Sequence, residues 1–139
     1  MIHNLLSNNK TGKIYSSIRF KTYSLPCFNE LYILFYLDGR KIVPLNIAEL
    51  LTPLVLAYWL CDDGCFCKSY HVVILNTQGF TKEEVEVLAK TLNDKWDLEC
   101  TINKDGKGYR IRIPRKSLPI LHSLLGPIMP PMMRYKIGL

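Results

Sequence analysis

The chain has 139 residues, 48% of them apolar, and a formal charge of +6. That is the length of one domain, and the apolar share excludes a disordered chain. The longest apolar stretch, Leu50 to Cys61, is too short to span a bilayer and contains Pro53; no secretory signal is recognisable, so no membrane partner is expected.

In chain order, the first element is a strand over Ile18 to Tyr23. Ile18, Phe20 and Thr22 alternate there with Arg19, Lys21 and Tyr23. A helix follows from about Pro53 to Asp63. Thr52 suits its N-cap, Pro53 its first position, and Gly64 is expected to end it in a left-handed conformation. Its last residues, Asp62 and Asp63, lie at the negative end of the helix dipole, where carboxylates are disfavoured. A divalent cation would offset that placement. Ala57 and Cys61, four apart, form a small-residue stripe that would let another helix approach.

A hairpin is expected over roughly Cys65 to Asn76, with VVILN as its clearest strand. Thr81 and Glu84 have capping-box spacing, and Val85, Leu88, Ala89, Leu92 and Trp96 make the apolar stripe of the helix that follows. Asp105-Gly106 marks a second hairpin. In its return strand Tyr109, Ile111 and Ile113 face one side, with Arg110 and Arg112 on the other. A last helix begins near Ser117 and ends at Gly126-Pro127. The strands thus pair an apolar face with a basic one, which Lys104, Lys107, Arg115 and Lys116 extend. An ordinary solvated sheet looks alike. The sharper reading is a saddle lying in a DNA major groove, where arginine reads guanine and lysine or arginine holds phosphates.

The five cysteines are odd in number, which favours reduced thiols. Cys65, Cys67 and His71 lack the paired knuckle of structural zinc sites. The three histidines suggest no general base, and no Gly-rich phosphate loop or Ser/His/Asp arrangement is evident.

The chain also repeats itself. Asn9, Lys10, Gly12, Lys13 and Tyr15 recur as Asn103, Lys104, Gly106, Lys107 and Tyr109. Ile18, Arg19, Ser24, Leu25 and Pro26 recur as Ile111, Arg112, Ser117, Leu118 and Pro119, and Lys41-Ile42 as Lys136-Ile137. At that nearly constant spacing, an equivalent of Asp63 would fall before Met1. The expected organisation is therefore the tail of a first repeat, residues 1–48 (hairpin plus helix), and a complete unit, residues 49–139.

LAYWLCDDG (Leu56 to Gly64) resembles the signature helix of the LAGLIDADG homing endonucleases. VVILNTQGFT (Val72 to Thr81) and PPMMRYKIG (Pro130 to Gly138) also resemble that family, in particular its double-motif enzymes of organellar group I introns. The resemblance implies an α+β fold. Its αββαββα unit would carry an antiparallel DNA-binding saddle and be preceded by a partial ββα repeat. It implies a site-specific DNA endonuclease that cleaves an intron-insertion site with Mg²⁺, in a mitochondrion or plastid. Asp63 takes the catalytic acidic position and is the expected metal ligand; Asp62 points about 100° away around the helix. Lys136 and Lys41 stand where the lysines of the two units are expected. Asn103 and Gln78 are the polar residues expected to order water. Arg19, Lys21, Lys104, Lys107, Arg110 and Arg112 are the candidate nucleic-acid contacts, with double-stranded DNA as partner. Two units supply two acids, one per strand, and this chain holds one. A second LAGLIDADG unit, from a missing N-terminal half or another copy, is thus a further expected partner. The alternatives are a group I intron RNA maturase, with intron RNA as partner, and an inactive remnant.

Overall fold

The computed structural model describes residues 2–7 and 14–139 and divides the chain into two compact units, meeting between Ile33 and Leu34. In the first unit, β1 (Ile2–Ser7) and β2 (Ile14–Arg19) pair antiparallel, Ile2 opposite Arg19. A 3₁₀ turn at Pro26–Phe28 leads into α1 (Asn29–Phe35). The strand expected over Ile18 to Tyr23 ends at Arg19. The described ladder stops there, and residues 20–25 carry no regular structure ahead of Pro26. Phe20 and Tyr23 stand 82% and 87% exposed. Asn9, Lys10, Gly12 and Lys13 of the repeat lie outside the described residues.

The second unit opens with a small hairpin, β3 (Tyr36–Leu37) and β4 (Arg40–Lys41), followed by α2 (Ile47–Leu50). Its turn, Asp38-Gly39, has φ of +50° and +75°, the two left-handed positions of a tight hairpin turn. The order then is α3 (Pro53–Asp63), β5 (Gly64–Cys67), β6 (Val72–Leu75), α4 (Lys82–Trp96), β7 (Thr101–Asp105), β8 (Gly108–Ile113) and α5 (Leu118–Leu125). This is the αββαββα order expected, with a 3₁₀ helix, Pro131–Ile137, added at the end. The four strands form one antiparallel sheet in the order β5-β6-β8-β7.

Packing explains why these segments hold their form. α3 presents Leu56 and Leu60, α4 presents Val85, Leu88 and Leu92, and α5 presents Leu121 and Leu125 to one core. Val73, Leu75, Ile111 and Ile113 meet them from the sheet. Each fully buried aliphatic side chain contributes roughly 1.5–3 kcal/mol relative to exposure. α4 carries the full capping box: the Glu84 amide donates to Thr81 Oγ1 at 3.3 Å, and the Thr81 amide to Glu84 Oε2 at 2.7 Å. Residues 34–48, read from the repeat as part of the first tail, pack with this larger unit. Ile47 enters the core, and Lys95 Nζ donates to the Ala48 carbonyl at 2.7 Å.

Two details of the acidic helix differ from the sequence expectation. Gly64 is extended, with φ −83° and ψ 149°, and not left-handed. The chain passes from α3 directly into β5, and glycine is needed for space. A Cβ there would lie 2.5 Å from the Leu60 carbonyl oxygen and 2.7 Å from its Cδ2. The small-residue stripe also serves a different purpose: Ala57 is 3% exposed, buried in the chain's own core. The open face of α3 is lined by Leu54, Val55 and Tyr58, the last 68% exposed.

Candidate active site and nucleic-acid face

The carboxyl end of α3 is the centre of the site. At its other end Thr52 Oγ1 accepts from the Val55 amide at 3.3 Å, and Pro53 starts the helix. The helix is eleven residues long and ends in Asp62 and Asp63, both exposed. The last carbonyls of a helix have no partner within it, and here neighbouring segments supply donors. Lys136 Nζ donates to the Cys61 carbonyl at 2.6 Å. The Asn76 side-chain amide and main-chain amide donate to the Asp63 carbonyl at 2.9 and 3.1 Å. A lysine at a helix C-terminus also opposes the dipole. The adverse placement of the aspartates is therefore relieved in part by this chain's own groups. Burial pushes the Cys61 thiol above its ordinary pKa, against the pull of the Lys136 ammonium, with Asp62 adding to the rise.

Lys136 is held in turn. It rides on the terminal 3₁₀ helix, and His122 Nε2 of α5 donates to the neighbouring Ile137 carbonyl at 2.6 Å. Lys41 reaches the site from the other side. It lines a pocket of about 280 Å³ together with Asp62, Asp63, Tyr58 and Trp59. Its ammonium lies 5.7 Å from the centre of the Phe80 ring. The two lysines are matched in the repeat yet sit in different local structures, one in a strand and one in a 3₁₀ helix.

Gln78 lies just past β6. Its amide nitrogen donates to Asn76 Oδ1 at 3.3 Å and to Asp105 Oδ2 at 2.8 Å. Asn103 is not part of this cluster. It faces Arg110 across the β7–β8 ladder and lines a shallow depression with Cys67, Ile74, Arg110 and Arg112. Two site residues were not visible in the sequence. Asp105 read only as half of a turn signal, and Asn76 only as the end of a strand.

The basic face follows the alternation for Arg110 and Arg112, which share the side of Asn103 and Thr101, away from the buried Ile111 and Ile113. Lys104 pairs with Tyr109 and so alternates to the opposite side, which removes it from that face. Lys107 lies in the turn between the strands. Arg19 is the last residue of β2, and Lys21 lies beyond it in the irregular segment. Lys116 is ion-paired with Glu99. Arg110 lies 3.7 Å from the Asp105 carboxylate.

The family described as LAGLIDADG DNA endonuclease matches residues 2–121. The chain belongs to the LAGLIDADG family. The homing endonuclease I-WcaI, solved bound to its DNA recognition sequence, superposes with a TM-score of 0.86 at 31% identity, over 98% of this chain and 62% of that one. The cytochrome b mRNA maturase bI2 of Debaryomyces hansenii is 37% identical over 96% of this chain and 50% of its own length. The intron-encoded endonuclease ai4 of Dictyostelium discoideum is 34% identical over 96% of this chain and 85% of its own. The chain thus spans about half the length of the Debaryomyces hansenii relative, 62% of the I-WcaI chain and 85% of the Dictyostelium discoideum relative.

For this LAGLIDADG chain the donor set bears on the metal. Among the described residues, no three His, Cys, Asp or Glu side chains gather to hold an ion. Mg²⁺ does not require such a cage: it keeps several waters and takes one or two carboxylates together with substrate phosphates. Asp63, exposed and lining one pocket with Lys41, has the chemistry of such a single carboxylate ligand.

Proposed function

We propose that the chain is a site-specific DNA endonuclease that hydrolyses phosphodiester bonds of an intron-insertion site, with Mg²⁺ held by Asp63. The observation that carries this reading is the acidic helix end, with Asp63 exposed beside Lys41 and bounded by Lys136. A bound Mg²⁺ would lower the pKa of water and neutralise charge at the phosphate. The chain's own groups do the rest. Water attacks phosphorus and gives up a proton to solvent while the bond to the leaving sugar oxygen breaks and that oxygen takes a proton from solvent; negative charge grows on the phosphate oxygens. The ammonium groups of Lys41 and Lys136 stabilise that charge electrostatically, Gln78 orients water, and Asn103 supports the order of water nearer the sheet. Arg110, Arg112 and Lys107 hold double-stranded DNA over β7 and β8. Lys104 contributes from the hairpin flank, and Arg19 and Lys21 are the basic contacts that the first unit would supply for itself.

We take residues 1–48 as the tail of a first repeat and 49–139 as a complete unit, with a second LAGLIDADG unit as partner. The exposed apolar side of α3, at Leu54, Val55 and Tyr58, suits another helix. One acid serves one strand, so the chain alone nicks its target, and a second unit is needed for a double-strand break. An organellar origin, mitochondrion or plastid, accords with the intron-encoded relatives. The bI2 relatives, cytochrome b mRNA maturases, favour one second reading, a group I intron maturase that binds intron RNA.

The deciding experiment selects duplexes bound by the chain from a randomised library and tests them for cleavage with Mg²⁺. The expected result is a metal-dependent nick, abolished in Asp63→Asn with binding retained. Cleavage that survives in Asp63→Asn defeats the catalytic assignment. Binding without cleavage, joined to splicing stimulation that persists in Asp63→Asn, favours the maturase.

A further inference from the structure

The connection between β6 and α4, Asn76-Thr77-Gln78, touches both halves of the site. On one side Asn76 holds the last carbonyl of α3, that of Asp63, through two hydrogen bonds of 2.9 and 3.1 Å. On the other side it is fastened to the β7–β8 hairpin three times. Buried Thr77 donates its hydroxyl to the Tyr109 carbonyl at 2.8 Å. Gln78 donates to Asp105 at 2.8 Å. Gly108 lies so close that a Cβ there would stand 2.7 Å from Gln78 Cα and 2.8 Å from its carbonyl oxygen. The line continues through Asp105 to Arg110 on the basic face. Asp105 is thus an acid placed among basic neighbours, where it would be expected to weaken binding of a polyanion.

We infer that Asn76 and Asp105 are positioning residues that couple the basic β7–β8 hairpin to the acidic end of α3. Arg110, Asp105, Gln78, Asn76 and the Asp63 carbonyl form one continuous chain of contacts. Most of it is exposed, where each ion pair is worth only about 0–1 kcal/mol. Its effect is on where groups sit more than on whether the chain folds. A shift of the hairpin on engaging a duplex is passed to the backbone of Asp63 along this chain, whose longest links are Arg110 to Asp105 at 3.7 Å and Gln78 to Asn76 at 3.3 Å, and a misplacement of about 1 Å costs catalysis heavily.

The functional part of the coupling rests on the endonuclease reading; the structural part does not, and the test separates them. Amide hydrogen exchange is measured by NMR on the full chain at Gly64 and Asn76, whose amides bond to Leu60 and Asp63. Asn76→Ala and Asp105→Ala are each expected to speed both by about fivefold, the loss of roughly one hydrogen bond. The double variant should add nothing further, because both act along one line. Asp105→Asn keeps an acceptor for Gln78 and should restore slow exchange; Lys107→Ala, on the same hairpin but off the line, should leave it unchanged. Unchanged exchange in Asp105→Ala, or additive effects in the double variant, overturns the coupling whether or not the chain cuts DNA. If the wild type nicks its selected duplex, Asp105→Ala should slow nicking about tenfold at saturating DNA, without weakened binding, and Asp105→Asn should recover it. Weakened binding with an undiminished rate would instead make Asp105 a plain binding residue and overturn the proposal.

Discussion

At the scale of single residues, Glu84 joins the fold to the site. Its carboxylate accepts from Arg40 at 2.8 Å and from the Val43 amide at 3.4 Å, on either side of Lys41. Burial pushes its pKa up, but bonds from Thr81 and Val43 and the Arg40 charge outweigh that, and the net direction is down. A carboxyl lowered on folding adds stability above its unfolded pKa, about 4.3, and that stability is lost as pH falls through the folded value. Glu84→Gln should therefore cost about 1 kcal/mol near neutral pH, and the difference should shrink steadily below about pH 4.3. Urea unfolding of both proteins across that range checks it; a pH-independent difference would mean the charge is not what matters. The capping box containing Glu84 was legible from Thr81 and Glu84 alone. Its bonds to Arg40 and Val43 were not, since those residues lie far away in sequence and no periodicity connects them.

Among the elements, α3 and its passage into β5 decide where Asp63 stands. The helix, both of its caps as positions, the two hairpins, α4 and α5 were all readable from turn residues and apolar spacing. β3, β4, α2 and the terminal 3₁₀ helix were not: they run two to seven residues, too short to show a period, and they are held by contacts such as that of Lys95 with Ala48. Asp38-Gly39 carries the same turn signal as Asp105-Gly106 and could have revealed the first of them. The role of Gly64 was misread because glycine after a helix usually signals a left-handed residue; here crowding against Leu60 is the reason. Gly64→Ala should cost about 1–3 kcal/mol by overpacking and displace Asp63. Gly79→Ala, with nothing within 4 Å of the added Cβ, should change little. Thermal melts of the two variants test this, and equal melting temperatures would refute the crowding argument.

For the whole molecule, which carries a net charge of +6, the proposed binding to DNA would be salt-dependent, by about 0.9 in log–log slope for each phosphate its basic side chains neutralise. Lys107→Ala should lower that slope by about one and leave the selected sequence alone, whereas Arg110→Ala should relax the sequence at one position. Titrations at several salt concentrations, paired with duplex selection, distinguish them; loss of slope alone in both variants would leave the face without base reading. By itself the sequence determined the αββαββα order, the family and the acidic helix with its lysines, because these rest on local turn chemistry, periodicity and a nearly constant repeat spacing. Only the tertiary structure decided which groups meet. It put Lys136 on the Cys61 carbonyl, Asn76 on that of Asp63 and Asp105 on Gln78, and it kept Asn103 apart on the sheet face. Such pairings depend on how α3, the β6–α4 connection and the β7–β8 hairpin pack together, and packing across long sequence separations leaves no periodic trace in the chain.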